Sequence, residues 1–187
     1  MGLFIVFEGG EGAGKSTQAR LLARRLARNG FPTLLTHEPG GTPLGDVVRR
    51  WLKRYPGLTP MTELLLFNAA RAQLVAQVVS PALKRGDWVV CDRYTASTVA
   101  YQGYGRGLDL GLVNRINQEA TGGLEPDLTV LLDLPVEAGL ARKAGQRPDA
   151  FEAETLEFHQ RVRQGYLAQA TAKPGKWLVL DATLPRA

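Results

Sequence analysis

Nine residues, Gly9-Gly10-Glu11-Gly12-Ala13-Gly14-Lys15-Ser16-Thr17, sit between an apolar run that ends at Phe7 and a stretch of helical spacing that begins near Lys15. They fit G-x-x-x-x-G-K-[ST], and a strand before with a helix after is the context that gives the pattern its meaning. Glycines let successive backbone N–H groups turn inward around a phosphate, and the helix start adds positive potential. Lys15 brings a point charge to the outer phosphates, and Ser16 a hydroxyl for magnesium. A glycine-rich turn with a chance lysine would need strand, loop and helix all in register by accident. Residues 9–17 therefore imply a nucleoside triphosphate with Mg2+ as cofactor.

The rest of the chain continues this alternation. Five short runs rich in Val, Ile and Leu, at 3–7, 33–36, 88–91, 128–132 and 177–180, are not interleaved with polar residues. Parallel strands covered on both faces read this way. Helices are predicted at about 15–29, 43–54, 60–84, 109–120, 135–143 and 153–172. The third opens on Thr59-Pro60, a capping residue followed by a first-turn proline. Strands alternating with helices predict the α/β class, with a doubly wound parallel sheet of five strands and helices on both faces. At 187 residues, with no repeat, linker or low-complexity stretch, the chain reads as one domain.

Lys and Arg outnumber Asp and Glu by 23 to 18, a formal charge of +5. Arg20, Arg24 and Arg28 recur at every fourth residue, the spacing of one solvated helix face, and no basic cluster is interleaved with aromatics. The balance suits small phosphorylated ligands and argues against nucleic acid. No apolar stretch is long enough for a membrane span and no basic segment opens the chain, so neither membrane nor export is expected. Cys91 stands alone, excluding an internal disulfide and fitting a reducing, cytoplasmic setting; it is expected as a small buried strand residue.

A guanine-nucleotide switch needs Asp-x-x-Gly and a later Asn-Lys-x-Asp, and neither string occurs. The size is small for a motor ATPase. What does occur is Trp88-Val89-Val90-Cys91-Asp92-Arg93-Tyr94, a strand ending in charge. Asp92, on the rim where such sheets bind ligands, can hold magnesium through water. Arg93 can grip a second phosphate bidentately; the plainer reading is a surface salt bridge at a strand end. Two phosphate grips side by side are what a phosphoryl transferase needs.

With these residues in view, the chain resembles the thymidylate kinase family, bacterial type, over almost its whole length. Beyond the loop, the markers are His37-Glu38-Pro39-Gly40-Gly41-Thr42, Leu66-Phe67-Asn68-Ala69-Ala70-Arg71, Asp92-Arg93-Tyr94, Ala100-Tyr101-Gln102-Gly103-Tyr104-Gly105-Arg106-Gly107 and Leu180-Asp181-Ala182-Thr183. The resemblance implies a P-loop NTPase fold, a homodimer, and transfer of the ATP γ-phosphoryl group to dTMP, giving dTDP and ADP. At matching positions it implies Phe67 on the thymine face, Arg71 at the base's edge, and Thr98 and Gln102 around it. Tyr101 would meet the sugar, Arg93 and Arg49 the monophosphate, and Glu11 the deoxyribose hydroxyl, with Glu38 also among the dTMP-binding residues.

The residue chemistry bears on these roles separately. Leu64, Phe67, Arg71, Leu74 and Val78 share one helical stripe, so a guanidinium interrupts apolar surface and needs a partner. A base carbonyl beside a stacked aromatic would serve; alternatively, Phe67 is plain core and Arg71 snorkels outward. An acid among phosphate-binding amides should point away from them, which is the expectation for Glu11. Glu8 supports Arg93 or magnesium, or is a buried acid satisfied by local amides.

Some positions depart from the family pattern. Loop positions where some members carry a catalytic arginine hold Glu11, Gly12 and Ala13. Members without it supply arginines from a lid, here near 142–152, whose usual Asp-Arg-apolar-Glu reads Asp149-Ala150-Phe151-Glu152. Such a cation is worth ~10³ or more in rate. Arg147 is the first candidate and Arg142 the second, with Lys143 beside them; the alternative is that all three are solvated loop charges. Catalytic roles thus fall on Lys15, Arg93, Glu11, Arg147 and Arg142. His37 stands where members usually have arginine, and a largely neutral imidazole would leave a salt bridge missing. His159 is expected on a helix surface. The chain stops at Ala187 where relatives continue into a further helix, which bears on the cover of the last strand.

Overall fold

A computed structural model of the protein describes residues 2–55, 57–145 and 148–184. Strands β1 (Phe4–Glu8), β2 (Thr33–His37), β3 (Trp88–Asp92), β4 (Leu128–Asp133) and β5 (Trp177–Asp181) form one parallel sheet in the order β2-β3-β1-β4-β5. Each lies within one residue of its predicted run. The central strand shows why that run does not alternate. Phe4 and Val6 face one layer, with Val89, Cys91, Leu74, Val79 and Tyr94, while Ile5 and Phe7 face the other, with Val90, Val130, Leu132, Ala19 and Ala23. At about 1.5–3 kcal/mol for each large apolar side chain buried, the two layers fix the register of β1.

The expectation of cover on both faces fails at β5. Leu178, Val179 and Leu180 are 45%, 47% and 42% exposed. This is the sheet's edge, held by parallel pairing with β4 from Thr129↔Trp177 to Asp133↔Asp181 rather than by burial.

The helices are α1 (Lys15–Arg28), α2 (Pro43–Arg54), α3 (Pro60–Leu74), α4 (Ser80–Arg85), α5 (Thr95–Thr98), α6 (Leu110–Thr121), α7 (Val136–Ala141) and α8 (Leu156–Ala172). The Thr59 hydroxyl accepts the Thr62 N–H at 3.2 Å, the cap its position predicts. The helix predicted over 60–84 is α3 and α4 joined by a π-helical turn, Val75–Val79. Pro81 accounts for the widened turn, since it has no N–H and crowds the carbonyl one turn earlier. After Tyr94 the spacing predicts no helix, yet α5 and a π-helical segment, Val99–Gly105, occupy the stretch. Glycine disfavours helix, but there is no room here for more: a Cβ on Gly103 or Gly105 would lie 2.6 Å from Leu110 or Phe158. Tertiary burial overrides propensity. Among the described residues no helix is long and apolar enough to cross a membrane.

Candidate functional site

The C-terminal ends of β1 and β3 lie side by side, Phe7 in register with Asp92. The loops that leave them, 9–14 and 93–94, meet in a cleft of about 1080 Å³, at the kind of place where ligands enter open parallel sheets. Residues 11–17, Glu38, Arg49, Phe67, Asp92, Arg93, Thr98, Tyr101, Gln102 and Arg142 all line it. Of the other predicted site residues, Gly9, Gly10 and Arg71 lie off its wall, and Arg147 lies outside the described residues.

The phosphate end is built from backbone. Gly14 enters α1 at φ 94° with no side chain capping the helix, so the first amides remain for a ligand. Gly12, at φ 70°, packs backbone to backbone on α7; a Cβ there would lie 2.2 Å from the Gly139 carbonyl oxygen. Lys15 is buried and donates from Nζ to the Gly10 carbonyl at 2.7 Å. Burial, then the charge of Arg93, lower its pKa to about 8 against the pull of Glu11 and Asp92, and an anion in the loop would reverse that.

The Ser16 hydroxyl donates to Asp92 Oδ2, and Asp92 Oδ1 is buried without a partner. A hydroxyl and an orphaned carboxylate oxygen meeting at the phosphate end fit a hard divalent cation such as Mg2+. No trio of His, Cys, Asp and Glu among the described residues could hold a metal.

Arg93 has φ 74°, rare for a residue with a Cβ, and is pinned there by its N–H bond to the Phe7 carbonyl at 3.0 Å. Its Nη2 donates to Glu11 Oε1 at 2.7 Å and to the Tyr101 hydroxyl at 3.3 Å, and Nη1 to Ser97 Oγ at 3.4 Å and the Tyr166 hydroxyl at 3.3 Å. The guanidinium also lies 5.1 Å from the Tyr101 ring centroid. Glu11 does turn out of the loop. Its Oε1 also accepts from the Tyr101 hydroxyl at 2.6 Å, and Oε2 lies 3.8 Å from Lys143 Nζ. Burial would raise its pKa, but Arg93 and Lys15, with Tyr101 and Lys143, hold it well below the usual carboxylate range.

Of the readings open for Glu8, local satisfaction is the one found. Oε1 accepts the N–H groups of Tyr94 and Ser97 at 2.8 and 3.2 Å, and Oε2 the hydroxyls of Ser97 and Tyr166 at 2.7 and 3.0 Å. The acid thereby ties β1 to the start of α5 and orders the groups around Arg93.

Arg71 does not snorkel; it is 1% exposed. Nε donates to Glu38 Oε2 at 2.8 Å, Nη2 to the Tyr94 carbonyl at 3.0 Å, and Nη1 has Asn68, Thr98 and Asn117 oxygens at 3.1, 3.2 and 2.9 Å. Three acceptors crowd a nitrogen with two protons, in a layer just behind Glu38 and Thr98. Phe67 faces the cleft, its ring 5.8 Å from that of Phe151.

The 142–152 segment carries more than its charges suggested. Arg142 bridges the Gly12 and Ala182 carbonyls at 3.3 and 2.8 Å, linking the phosphate loop to the end of β5. Lys143 pairs with Glu152, and Lys53 with Asp149 at 3.0 Å. Asp149 accepts the N–H groups of Phe151 and Glu152, each at 3.1 Å, a turn that aims the Phe151 ring between Phe67 and Tyr101. Phe151, Lys53 and the 181–184 segment also line the cleft, and sequence reasoning assigned none of them a site role; the Asp-x-apolar-Glu remnant hinted at Phe151, and 180–183 stood only as a family marker.

Both histidines act through packing. His159 is 4% exposed, which corrects the surface expectation: it lies on the inner face of α8, with Nε2 unpartnered, and burial lowers its pKa. His37 packs on Gly40, where a Cβ would lie 2.3 Å from its Nε2, and burial followed by Arg49 keeps it neutral. Cys91 is fully buried, its thiol 3.1 Å from the Arg93 carbonyl and pushed up by burial.

A family model described as thymidylate kinase matches residues 7–187. The thymidylate kinase of Dehalococcoides mccartyi is 54% identical over 188 residues, covering 100% of this chain and 90% of that protein. That of Thermomicrobium roseum is 55% identical over 187 residues, covering 99% and 89%. The solved thymidylate kinase of Ehrlichia chaffeensis superposes with a TM-score of 0.81 at 36% identity, covering 96% of this chain and 92% of that one.

Proposed function

The chain belongs to the thymidylate kinase family, a P-loop kinase that phosphorylates dTMP, and on that premise we propose which residues carry the transfer. ATP lies with its phosphates in residues 9–17, and dTMP lies between Phe67 and Arg93. The observation that carries this is one cleft holding two separate cationic grips, Lys15 in the loop and Arg93 beside it. The bond from the γ-phosphorus to the β–γ bridging oxygen breaks as an oxygen of the dTMP phosphate bonds to that phosphorus, and ADP leaves with the electron pair. Three equatorial oxygens share the charge in transit, so cations must converge on them. Lys15 holds the donor side. Arg93, backed by Tyr101, Ser97 and Tyr166, holds the acceptor phosphate together with Arg49.

Glu11 orients the Arg93 fork and, across the site, meets the deoxyribose hydroxyl. Thr98 and Gln102 border the base. Arg71 reaches the base edge by exchanging one of its three crowded Nη1 acceptors for a thymine carbonyl. Of the lid cations, Arg142 and Lys143 stand over the loop, and Arg147, the first candidate from the sequence, lies outside the described residues. Ser16 and Asp92 would hold Mg2+, which supplies charge neutralisation between the phosphates when bound; chelation should therefore stop turnover.

The test is an acceptor panel at fixed MgATP. Phosphorylation of dTMP is expected well above that of dUMP, CMP or AMP. A preference for AMP or CMP would remove the base assignment.

We further read the chain as a single domain with a lid at about 142–152, working as a cytoplasmic homodimer. The dimer is supported by an exposed apolar stripe of Leu44, Val47 and Trp51 on α2 at helical spacing, continued by its capping residue Tyr55, with Leu65 of α3 also exposed. The protein should elute at twice its 20.3 kDa mass, and Trp51→Glu should bring it to the monomer. Unchanged elution of that variant would place any interface elsewhere. Proteolysis within the lid should slow on adding both substrates, and cell fractionation should find the protein in the soluble cytoplasm.

A further inference from the structure

Gln102 is wholly buried and lines the cleft, yet only half of its amide is satisfied: Nε2 donates to Glu63 Oε2 at 3.1 Å, and Oε1 has no partner. We propose that Glu63 and Arg106, which do not line the cleft, are specificity-determining positioning residues that fix the direction of this amide. The inference rests on the dTMP reading above.

Glu63, in the first turn of α3, is buried, and the Arg106 fork closes on it: Nε to Oε2 at 3.1 Å and Nη2 to Oε1 at 2.9 Å. Arg106 is itself braced, with Nη1 2.7 Å from Glu154 and its plane 4.8 Å from the Phe158 ring centroid. The carboxylate therefore meets Gln102 as a fixed acceptor. Reversing the amide would set oxygen against oxygen in a buried place and leave the NH2 group unbonded, so Oε1 is the end left for a ligand.

An acceptor at that point selects by the protonation pattern of the pyrimidine. N3 of thymine carries a hydrogen, which Oε1 can accept. N3 of cytosine is a bare acceptor, and the two would repel. Uracil also carries N3–H, so the clamp separates thymine and uracil from cytosine and leaves the choice between thymine and uracil to contacts elsewhere.

The experiment compares kcat/KM for dTMP, dUMP and dCMP. Wild type must first use dTMP; if it does not, the functional reading fails before this one is reached. In Glu63→Gln the neutral amide can pair with Gln102 in either direction, and the dTMP:dCMP ratio is expected to fall about tenfold or more, chiefly by improved use of dCMP, while the dTMP:dUMP ratio holds. A general loss of packing would instead lower all three together. Glu63→Gln with both ratios unchanged, or with all three substrates reduced in parallel, overturns the proposal. Should that variant fail to fold, Gln102→Leu keeps the Glu63–Arg106 pair and must itself lose the dTMP:dCMP discrimination; discrimination retained there also overturns it. Where both fold, adding Glu63→Gln to Gln102→Leu should change the ratio no further.

Discussion

Arg93→Ala is expected to lower kcat/KM for dTMP by about 10³-fold or more while MgATP still binds within about threefold of wild type. The fork is bound to Glu11, Tyr101, Ser97 and Tyr166 and held at a strained φ of 74°, so its position is set before any substrate arrives. Removing it withdraws the acceptor-side charge and leaves the negative charge of Glu11, still met by Tyr101, Lys15 and Lys143, without its closest cation beside the acceptor phosphate. The two losses act in one direction, which is why the effect should exceed that of a single lost hydrogen bond. Arg93→Lys keeps a charge without the fork and should fall between. Lys15 and the loop amides are left in place, so nucleotide affinity is the internal control. Steady-state kinetics beside calorimetric titration of MgATP decides it. Turnover within tenfold of wild type, or parallel loss of nucleotide binding, would remove Arg93 from the acceptor site.

What the sequence could show depended on how local the cause was. The glycine loop was readable because its chemistry is set by nine consecutive residues, and β1 because its two faces are buried in layers its own run of Phe, Ile and Val demands. The helix after Tyr94 was not readable. Its glycines speak against helix, and the reasons for it lie at Leu110, Phe158 and Glu8, which are close only in the fold. His159 escaped for the same cause: nothing beside it in sequence says which face of α8 turns inward. The exposed β5 shows the reverse error, since an apolar run reads as covered whether or not a neighbour is there. Arg71 was a partial success. Its place in an apolar stripe demanded a partner, but sequence spacing could not say that Glu38, 33 positions away, would be one.

Arg71→Met should cost about 3–5 kcal/mol of stability in alkaline solution near pH 9, a drop in Tm of roughly 6–20 °C for a chain of this size. Methionine fills the apolar part of the space, so the loss is chiefly electrostatic: Glu38 and the oxygens of Asn68, Thr98, Asn117 and Tyr94 all lose a donor. The pH dependence identifies the main contributor. Burial pushes Glu38 up to about 7 even with the Arg71 guanidinium pulling it down. A carboxyl raised above its unfolded value favours the fold while protonated, and that contribution fades as pH rises through the folded pKa. Without Arg71 the pKa climbs further, so Glu38 takes up a proton and the charge is avoided in acid but not in base. The stability gap between variant and wild type should therefore hold at a lower plateau below pH 7, set by the orphaned oxygens, and widen as pH rises past 7. Arg71→Met with Glu38→Gln should recover much of the loss at pH 8, because a neutral amide needs no cation. A gap that stays the same from pH 5 to 8 would mean that the cost comes from the orphaned amide and carbonyl oxygens, with Glu38 a bystander.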